Sequence, residues 1–456
     1  MKLTVIGGGG VRAVFLAKAI VSKAKNLNID EVVLMDNNSE KLRTYGNLAK
    51  GVAKSIDPSI NFRITTDPVE ALVGADIIIT AIRVGEDQGR IFDERIALNH
   101  GVIGQETTGA GGFAMALRSI PAILEYCRLS KIYAKPDALF FNFTNPSGLV
   151  TQALRSEGYN NVYGICDFAS QFIKEIGAVI GESPKDISVE CLGLNHLSYF
   201  RSVKVRGVEK INELINNPLI YEKTEERLFK PELVKNLGML LNGYLYFYYF
   251  REEAIKNINL SEKTRGETIK KINDAMFEEL SQVDIENDFD NALSIYFKYI
   301  TMREKSYMAI ESHQENEEKK NMNLTLSQLD DEGYAGVALK FVQSKVLNQP
   351  VEMILSVPNN GSINGLEAED VIEVTCRIDK SGATPIKIGD VPEVQMSLIR
   401  QIKLYERLTV KAIKEKNRNT AKLALTVHPL VNSYSIASKL VDEYLDAHKT
   451  YVGEWR

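Results

Sequence analysis

The stretch Lys2-Leu3-Thr4-Val5-Ile6-Gly7-Gly8-Gly9-Gly10-Val11-Arg12-Ala13 decides the fold. A short apolar run reads as a buried strand, the glycines turn the chain, and Val11 to Lys25 has the apolar spacing of a helix. Read from Gly8, the glycines satisfy G-x-G-x-x-A. The backbone of Gly7, Gly8, Gly9, Gly10, Val11 and Arg12 can then turn tightly and approach a pyrophosphate, and the small Ala13 can pack on the sheet. The helix N-terminus adds amide donors and a positive dipole end. A second apolar run, Glu31 to Met35, ends in Asp36, 23 residues beyond Ala13. A carboxylate there can accept from both ribose hydroxyls and repels a 2′-phosphate, which favours NAD over NADP. A glycine turn in some other α/β protein is the competing reading; strand, glycines, helix and acid in that order weigh against it.

Working outward, the alternation continues. Helical spacing runs to Ile56, a strand follows at Phe62 to Thr65, and Ala75 to Ile82 is strongly β-branched. Ala138 to Phe143 and Asn161 to Ile165 are further strands, with a helical stretch from Ala114 to Ser130 before them. Apolar strands joined by helices predict an α/β protein with a Rossmann-like, doubly wound parallel sheet. Beyond about residue 170 the pattern changes. Val189 to Val205 includes alternating segments, Glu225 to Met308 is mainly helical, and Gln314 to Asn323 is a charge-dense loop or helix end. Met353 to Val357 and Val371 to Ile378 read as strands, and the chain is helical from Pro392. The expected organisation is an NAD-binding domain over residues 1–170 and a second, mixed α+β domain over 171–456, as in the lactate and malate dehydrogenases.

Composition excludes several classes. The 456 residues hold 44% apolar and 25% charged side chains, a globular balance. With 55 Lys plus Arg against 60 Asp plus Glu, the net charge of −5 leaves no basic excess for nucleic acid. Cys127, Cys166, Cys191 and Cys376 are too scattered for a disulfide framework and read as reduced thiols of a cytoplasmic protein. The opening apolar run is too short for a signal peptide, and no segment approaches the roughly 18 apolar residues of a membrane span. Neither membrane nor nucleic acid is expected as a partner.

Four polar segments carry the candidate chemistry. Arg83 to Arg90 follows a central strand and so lies at the carboxyl edge of the sheet, where ligands of this fold bind and arginines can clamp an anion. Gly101 to Gly112 mixes polar side chains with glycines, either lining a site or making a long turn before a helix near Phe113. In Asn142-Phe143-Thr144-Asn145-Pro146, an amide can face the crevice and hold a ribose or sugar hydroxyl, or form an Asx turn. Cys166-Asp167 ends another strand, and Asn195-His196 lies in the next β-rich segment. Cys and His suit a transition metal, although a buried Cys and a satisfied His are the commoner case.

Taken in order, Ile6-Gly7-Gly8-Gly9, Gly104-Gln105-Glu106-Thr107-Thr108-Gly109, Asn142-Phe143-Thr144-Asn145-Pro146, Gly164-Ile165-Cys166-Asp167 and Gly193-Leu194-Asn195-His196 resemble the NAD- and manganese-dependent glycoside hydrolases of family 4. The resemblance runs from Lys2 to about Tyr405 and is nearest to the 6-phospho-glucosidases, the β-directed branch first. It implies hydrolysis of a phosphorylated disaccharide or glucoside by oxidation at C3, proton removal at C2, loss of the aglycone, water addition and return of the hydride. Paired catalytic carboxylates are not needed.

By the same resemblance Cys166 and His196 hold manganese or another divalent metal, and Arg90 and Asn145 hold the 6-phosphate and the sugar. Asn145 also lies at the cofactor. The base is a tyrosine matched to Tyr244 in Asn242-Gly243-Tyr244-Leu245-Tyr246-Phe247-Tyr248-Tyr249, although tyrosines one turn apart are otherwise simply aromatic core. Asp167 is a potential acid for the leaving oxygen and a feature of the α-directed branch, whereas Asp93-Glu94-Arg95-Ile96 looks like the β branch. A homodimer or homotetramer is implied. The other readings are a 6-phospho-α-glucosidase, a net NAD-dependent 2-hydroxy-acid dehydrogenase with His196 as the candidate for its catalytic histidine, and an idle NAD-binding subunit. His100, His313, His428 and His448 read as surface or packing residues.

Overall fold

The computed structural model describes residues 1–306, 308–312, 324–329 and 333–456. The predicted loop Gln314 to Asn323 and His313 lie outside the described residues. The strands are β1 Lys2–Ile6, β2 Glu31–Met35, β3 Asn61–Thr65, β4 Ile77–Thr80, β5 Leu139–Asn142, β6 Val162–Gly164, β7 Ile187–Leu194, β8 Leu197–Val205, β9 Val208–Glu209, β10 Leu240–Leu241, β11 Val351–Pro358, β12 Val371–Asp379 and β13 Gly382–Pro385. In the first sheet the order is β13-β12-β11-β6-β5-β4-β1-β2-β3. The section from β3 to β6 is parallel throughout and has the doubly wound order expected from the sequence.

Its strands lack polar alternation because both faces are covered: Leu3, Val5, Val32, Val33, Leu34 and Ile79 are wholly buried. Removing each such side chain from water stabilises the fold by roughly 1.5–3 kcal/mol. β11 then pairs antiparallel with β6, so strands from the C-terminal half complete the sheet begun at Lys2. The smaller sheet is a hairpin of β7 and β8 with β10 and β9 added to β8.

The switch point falls between β1 and β4, whose connections leave toward opposite sides. Gly7 closes this gap with φ +101°, and a Cβ on it would come within 2.5 Å of the Ala81 carbonyl oxygen. One expectation is corrected here. The glycines after Thr108 are not a turn ahead of Phe113; they are the first turn of the helix Gly109–Tyr133. A Cβ on Gly111 would lie 2.2 Å from the Gln105 carbonyl oxygen, so these glycines let the preceding loop lie directly on the helix.

That helix is tied to the helix Glu86–Asn99 by a buried pair, Arg118 to both oxygens of Asp93 at 2.8 and 2.6 Å. The His448 ring lies 2.7 Å from the same carboxylate, and the Tyr444 hydroxyl donates to the Asp93 carbonyl. Truncating one partner would strand a buried guanidinium. Asp93→Ala is expected to lower the unfolding free energy by about 3–5 kcal/mol, measured by urea denaturation.

Candidate active site at the carboxyl edge of the sheet

A cavity of about 680 Å³ opens at the switch point. Gly7, Gly9, Gly10, Val11, Arg12 and Asp36 line one end; Cys166, Asp167, His196 and Tyr244 line the other, with Arg90 and Asn145 also on its wall. Gly8 does not line it and packs against Leu34.

At the glycine end, the Asp36 carboxylate accepts from the Gly9 amide at 2.9 Å and the Asn38 amide at 3.0 Å. Burial raises the Asp36 pKa, and those two amides oppose the rise. The acid thus stands at the end of β2, against the glycine turn, where a ribose would lie. The size of the cavity, the glycine backbone on its wall and this acid fit a dinucleotide.

At the other end, Cys166 follows β6, and His196 sits in the tight turn joining β7 to β8. Leu194 pairs with Leu197, which leaves Asn195 and His196 as the turn residues, and His196 takes φ +62°. This conformation is uncommon outside glycine and costs energy, so it points to a role for the side chain. The result brings His196 Nε2 to 3.8 Å from Cys166 Sγ across 30 residues of chain. Ligands of one divalent cation stand roughly 3–4 Å apart at ordinary bond lengths and angles, so the donor pair fits such an ion. Among the described residues no cluster of three or more His, Cys, Asp or Glu side chains is arranged for a metal. Two protein donors leave positions for oxygen ligands. Burial pushes the imidazole down to about 4 and the Cys166 thiol well up. His196 is neutral, as ligation requires; Cys166 would lose its proton to the cation's field.

Tyr244 lies in a short turn after β10, and its ring stacks on His196 with centroids 3.7 Å apart and planes within 4°. The tyrosine that resembles a base therefore lies against the candidate metal ligand, whereas Tyr246 and Phe247 of the same motif are core. The competing readings of the Asn-Pro loop divide between two residues. Asn142 is buried, donating to the carbonyls of Thr144 and Ser147, and makes the turn; Asn145 is left to the cavity.

Arg90 reaches the cavity already engaged, at 2.7 Å from Glu94 and 3.2 Å from Glu106. Arg83 pairs with the other oxygen of Glu106. Arg95 instead pairs with Glu267 away from the cavity lining. Sequence reasoning singled out neither Arg265, Arg303 nor Glu311, all on the wall. Arg265 and Arg303 lie in the stretch that reads as mainly helical, and Glu311 lies just beyond it. Only the three-dimensional packing turns them inward.

A profile of the family 4 glycosyl hydrolases matches residues 2–182, and one of that family's C-terminal domain matches residues 191–431. The chain belongs to this family. A Bacillus subtilis relative named "Probable 6-phospho-beta-glucosidase" is 30% identical over 100% of this chain and 98% of its own. The maltose-6′-phosphate glucosidase of the same organism is 28% identical, over 98% and 96%. The 6-phospho-beta glucosidase of Thermotoga maritima, solved with NAD and glucose-6-phosphate, is 28% identical with a TM-score of 0.84, covering 99% of both chains. It has also been solved with manganese, NAD+ and glucose-6-phosphate. Family membership decides against the dehydrogenase and idle-subunit readings. Among the described residues no helix is long and apolar enough to cross a membrane.

Glu106 offers a test of this family 4 cavity's electrostatics. Burial works against its ionisation, but Arg83 and then Arg90 outweigh it and hold its pKa down at about 2. A depressed carboxyl contributes stability that is present above its unfolded value and lost as pH falls toward the folded one. Glu106→Gln is expected to flatten the acid limb of the stability curve below pH 4.5 and to cost on the order of 2–3 kcal/mol at pH 7. Urea melts from pH 7 to 3 measure both; an unchanged limb contradicts the assignment.

Proposed function

We propose that this family 4 enzyme hydrolyses 6-phospho-glucosides, with the β anomer preferred. The observation that carries the reading is the Cys166 and His196 pair, 3.8 Å apart, in one cavity with a dinucleotide-type glycine turn and Asp36. When bound, the dinucleotide supplies a hydride acceptor and the divalent cation a Lewis acid. Asp36 would hold the ribose hydroxyls, and the backbone of Gly7, Gly9 and Gly10 would receive the pyrophosphate. Cys166 and His196 would hold the cation beside the sugar.

Arg90 holds the 6-phosphate, its guanidinium kept in place by Glu94 and Glu106. Asn145 bonds sugar or nicotinamide-side hydroxyls. Tyr244, stacked on His196, takes the proton from C2 of the sugar. Asp167 gives a proton to the leaving oxygen. The partition into residues 1–170 for cofactor binding and 171–456 for catalysis and assembly as a homo-oligomer belongs to the same reading, as does a place in the cytoplasm. A preference for the α anomer is the second reading, favoured by Asp167 on the cavity wall and by the maltose-6′-phosphate relative.

Assay of both anomers of 4-nitrophenyl glucoside 6-phosphate with NAD, manganese and a reductant tests the proposal. The β anomer is expected to turn over with the higher kcat/KM, and the reverse order selects the second reading. Turnover of neither anomer sinks the proposal. Tyr244→Phe and Cys166→Ser are each expected to lower kcat by roughly 10²–10⁴-fold. Deuterium at C2 of the sugar is expected to slow the wild-type enzyme; equal rates with labelled substrate would remove Tyr244 from its role.

A further inference from the structure

We infer that Gln105, acting through the Thr107 hydroxyl, fixes which nitrogen of His196 faces Cys166. The inference rests on the proposed reading of that pair as cation ligands, and it makes Gln105 and Thr107 positioning residues. Gln105 Oε1 lies 2.6 Å from the Thr107 amide nitrogen and 2.8 Å from that of Thr108. Backbone amides only donate, so the atom that receives them is the carboxamide oxygen and cannot be its NH2 group. The same oxygen is 2.9 Å from both threonine hydroxyls, which must therefore also donate to it.

A hydroxyl has one proton. With that proton directed at Gln105, the Thr107 oxygen meets His196 Nδ1, 2.9 Å away, as an acceptor. Nδ1 carries the ring's hydrogen, and the lone pair is left on Nε2, the nitrogen 3.8 Å from Cys166 Sγ. The opposite tautomer would set two lone pairs against each other at either Thr107 or Gln105.

The relay is rigid. Gln105, Thr107, Thr108 and His196 are all buried. A Cβ at Gly104 would lie 2.4 Å from the Glu94 carbonyl oxygen, and one at Gly112 would lie 2.6 Å from the Thr107 backbone. The loop is clamped between two helices, which holds the Thr107 oxygen between Gln105 and the ring. A metal-ligating imidazole needs its second nitrogen tied in this way, and such partners are worth about 10–100-fold in metal affinity.

Two readouts test the relay on the full chain. In EDTA-treated protein carrying ¹⁵N-histidine, two-bond proton–nitrogen spectra at pH 7 are expected to show His196 protonated at Nδ1, identified by loss of its signals in His196→Asn. Thr107→Val is expected to redistribute the proton between the ring nitrogens and to weaken Mn²⁺ binding in calorimetric titration by about 10–100-fold. NAD affinity is expected to be unchanged in Thr107→Val, which shows that the variant folds, and Thr107→Ser is expected to restore both the spectrum and the Mn²⁺ affinity. Protonation at Nε2 in the wild-type chain overturns the inference. So does wild-type Mn²⁺ affinity in Thr107→Val. If the wild-type chain binds no Mn²⁺, the metal reading of Cys166 and His196 fails, and the tautomer spectrum alone decides the relay.

Discussion

One tight turn holds this site together. The residues between β7 and β8 press a histidine in a left-handed conformation against the carboxyl edge of a parallel sheet, and that contact joins chemistry from two halves of the chain. Left to local preference, the turn would take glycine or asparagine at the His196 position. It is held instead from both sides. Asn195 accepts from the Gly148 amide and donates to Glu373 at 2.8 Å, while His196 meets Thr107. Glu373 lies on β12, which belongs to the large sheet, so the antiparallel extension of that sheet anchors the turn that faces its parallel part. Burial pushes the Glu373 carboxyl up to about 7 against the pull of its two donors, Asn195 and Ser198. The anchor is therefore a strong acceptor in a poorly solvated place.

The parallel half of the fold was legible because each of its strands is buried on both faces and bounded by turn residues. Glu31 to Met35 reads from its apolar run to the observed strand residue for residue, and β1, β3, β5 and β6 agree within a residue or so at each end. Where reading failed, the cause was contact rather than propensity. Gly109 to Gly112 looked like a turn because glycine is a poor helix former, yet the helix starts there since only hydrogen atoms fit beneath Gln105 and Thr107. Nor does the sequence advertise that the strands near residues 351 and 371 join β6 across nearly 200 residues of chain. Long-range pairing leaves no local mark.

The site divides in the same way. Cys166, Asp167, Asn145 and Asp36 each end a strand or begin the loop after it, and the doubly wound pattern alone sends such positions to the crevice. His196 needed the family resemblance, since a turn histidine has many uses. Gln105 and Thr107 were noticed as polar residues among glycines and as part of a family motif, without a role; their part depends on which atom donates to which. Arg303 and Glu311 carried no signal, because a charged residue in an amphipathic helix looks alike whether its face meets water or a cavity.

The cavity lining shows why such residues merit notice once the fold is known. Buried cations normally sit beside carboxylates, as Arg118 does with Asp93 and Arg90 with Glu94. Arg303 departs from that rule: its hydrogen-bond partner among the described residues is the neutral carbonyl of Asn273, while Arg12 and Arg83 lie close enough to join burial in holding its pKa down at about 10. Glu311 departs in the opposite sense, with Oε2 buried and, among the described residues, without a hydrogen bond. Local rules broken together around one cavity, by a left-handed histidine, a guanidinium held by an amide and an under-satisfied carboxylate, mark a surface shaped for binding rather than for stability.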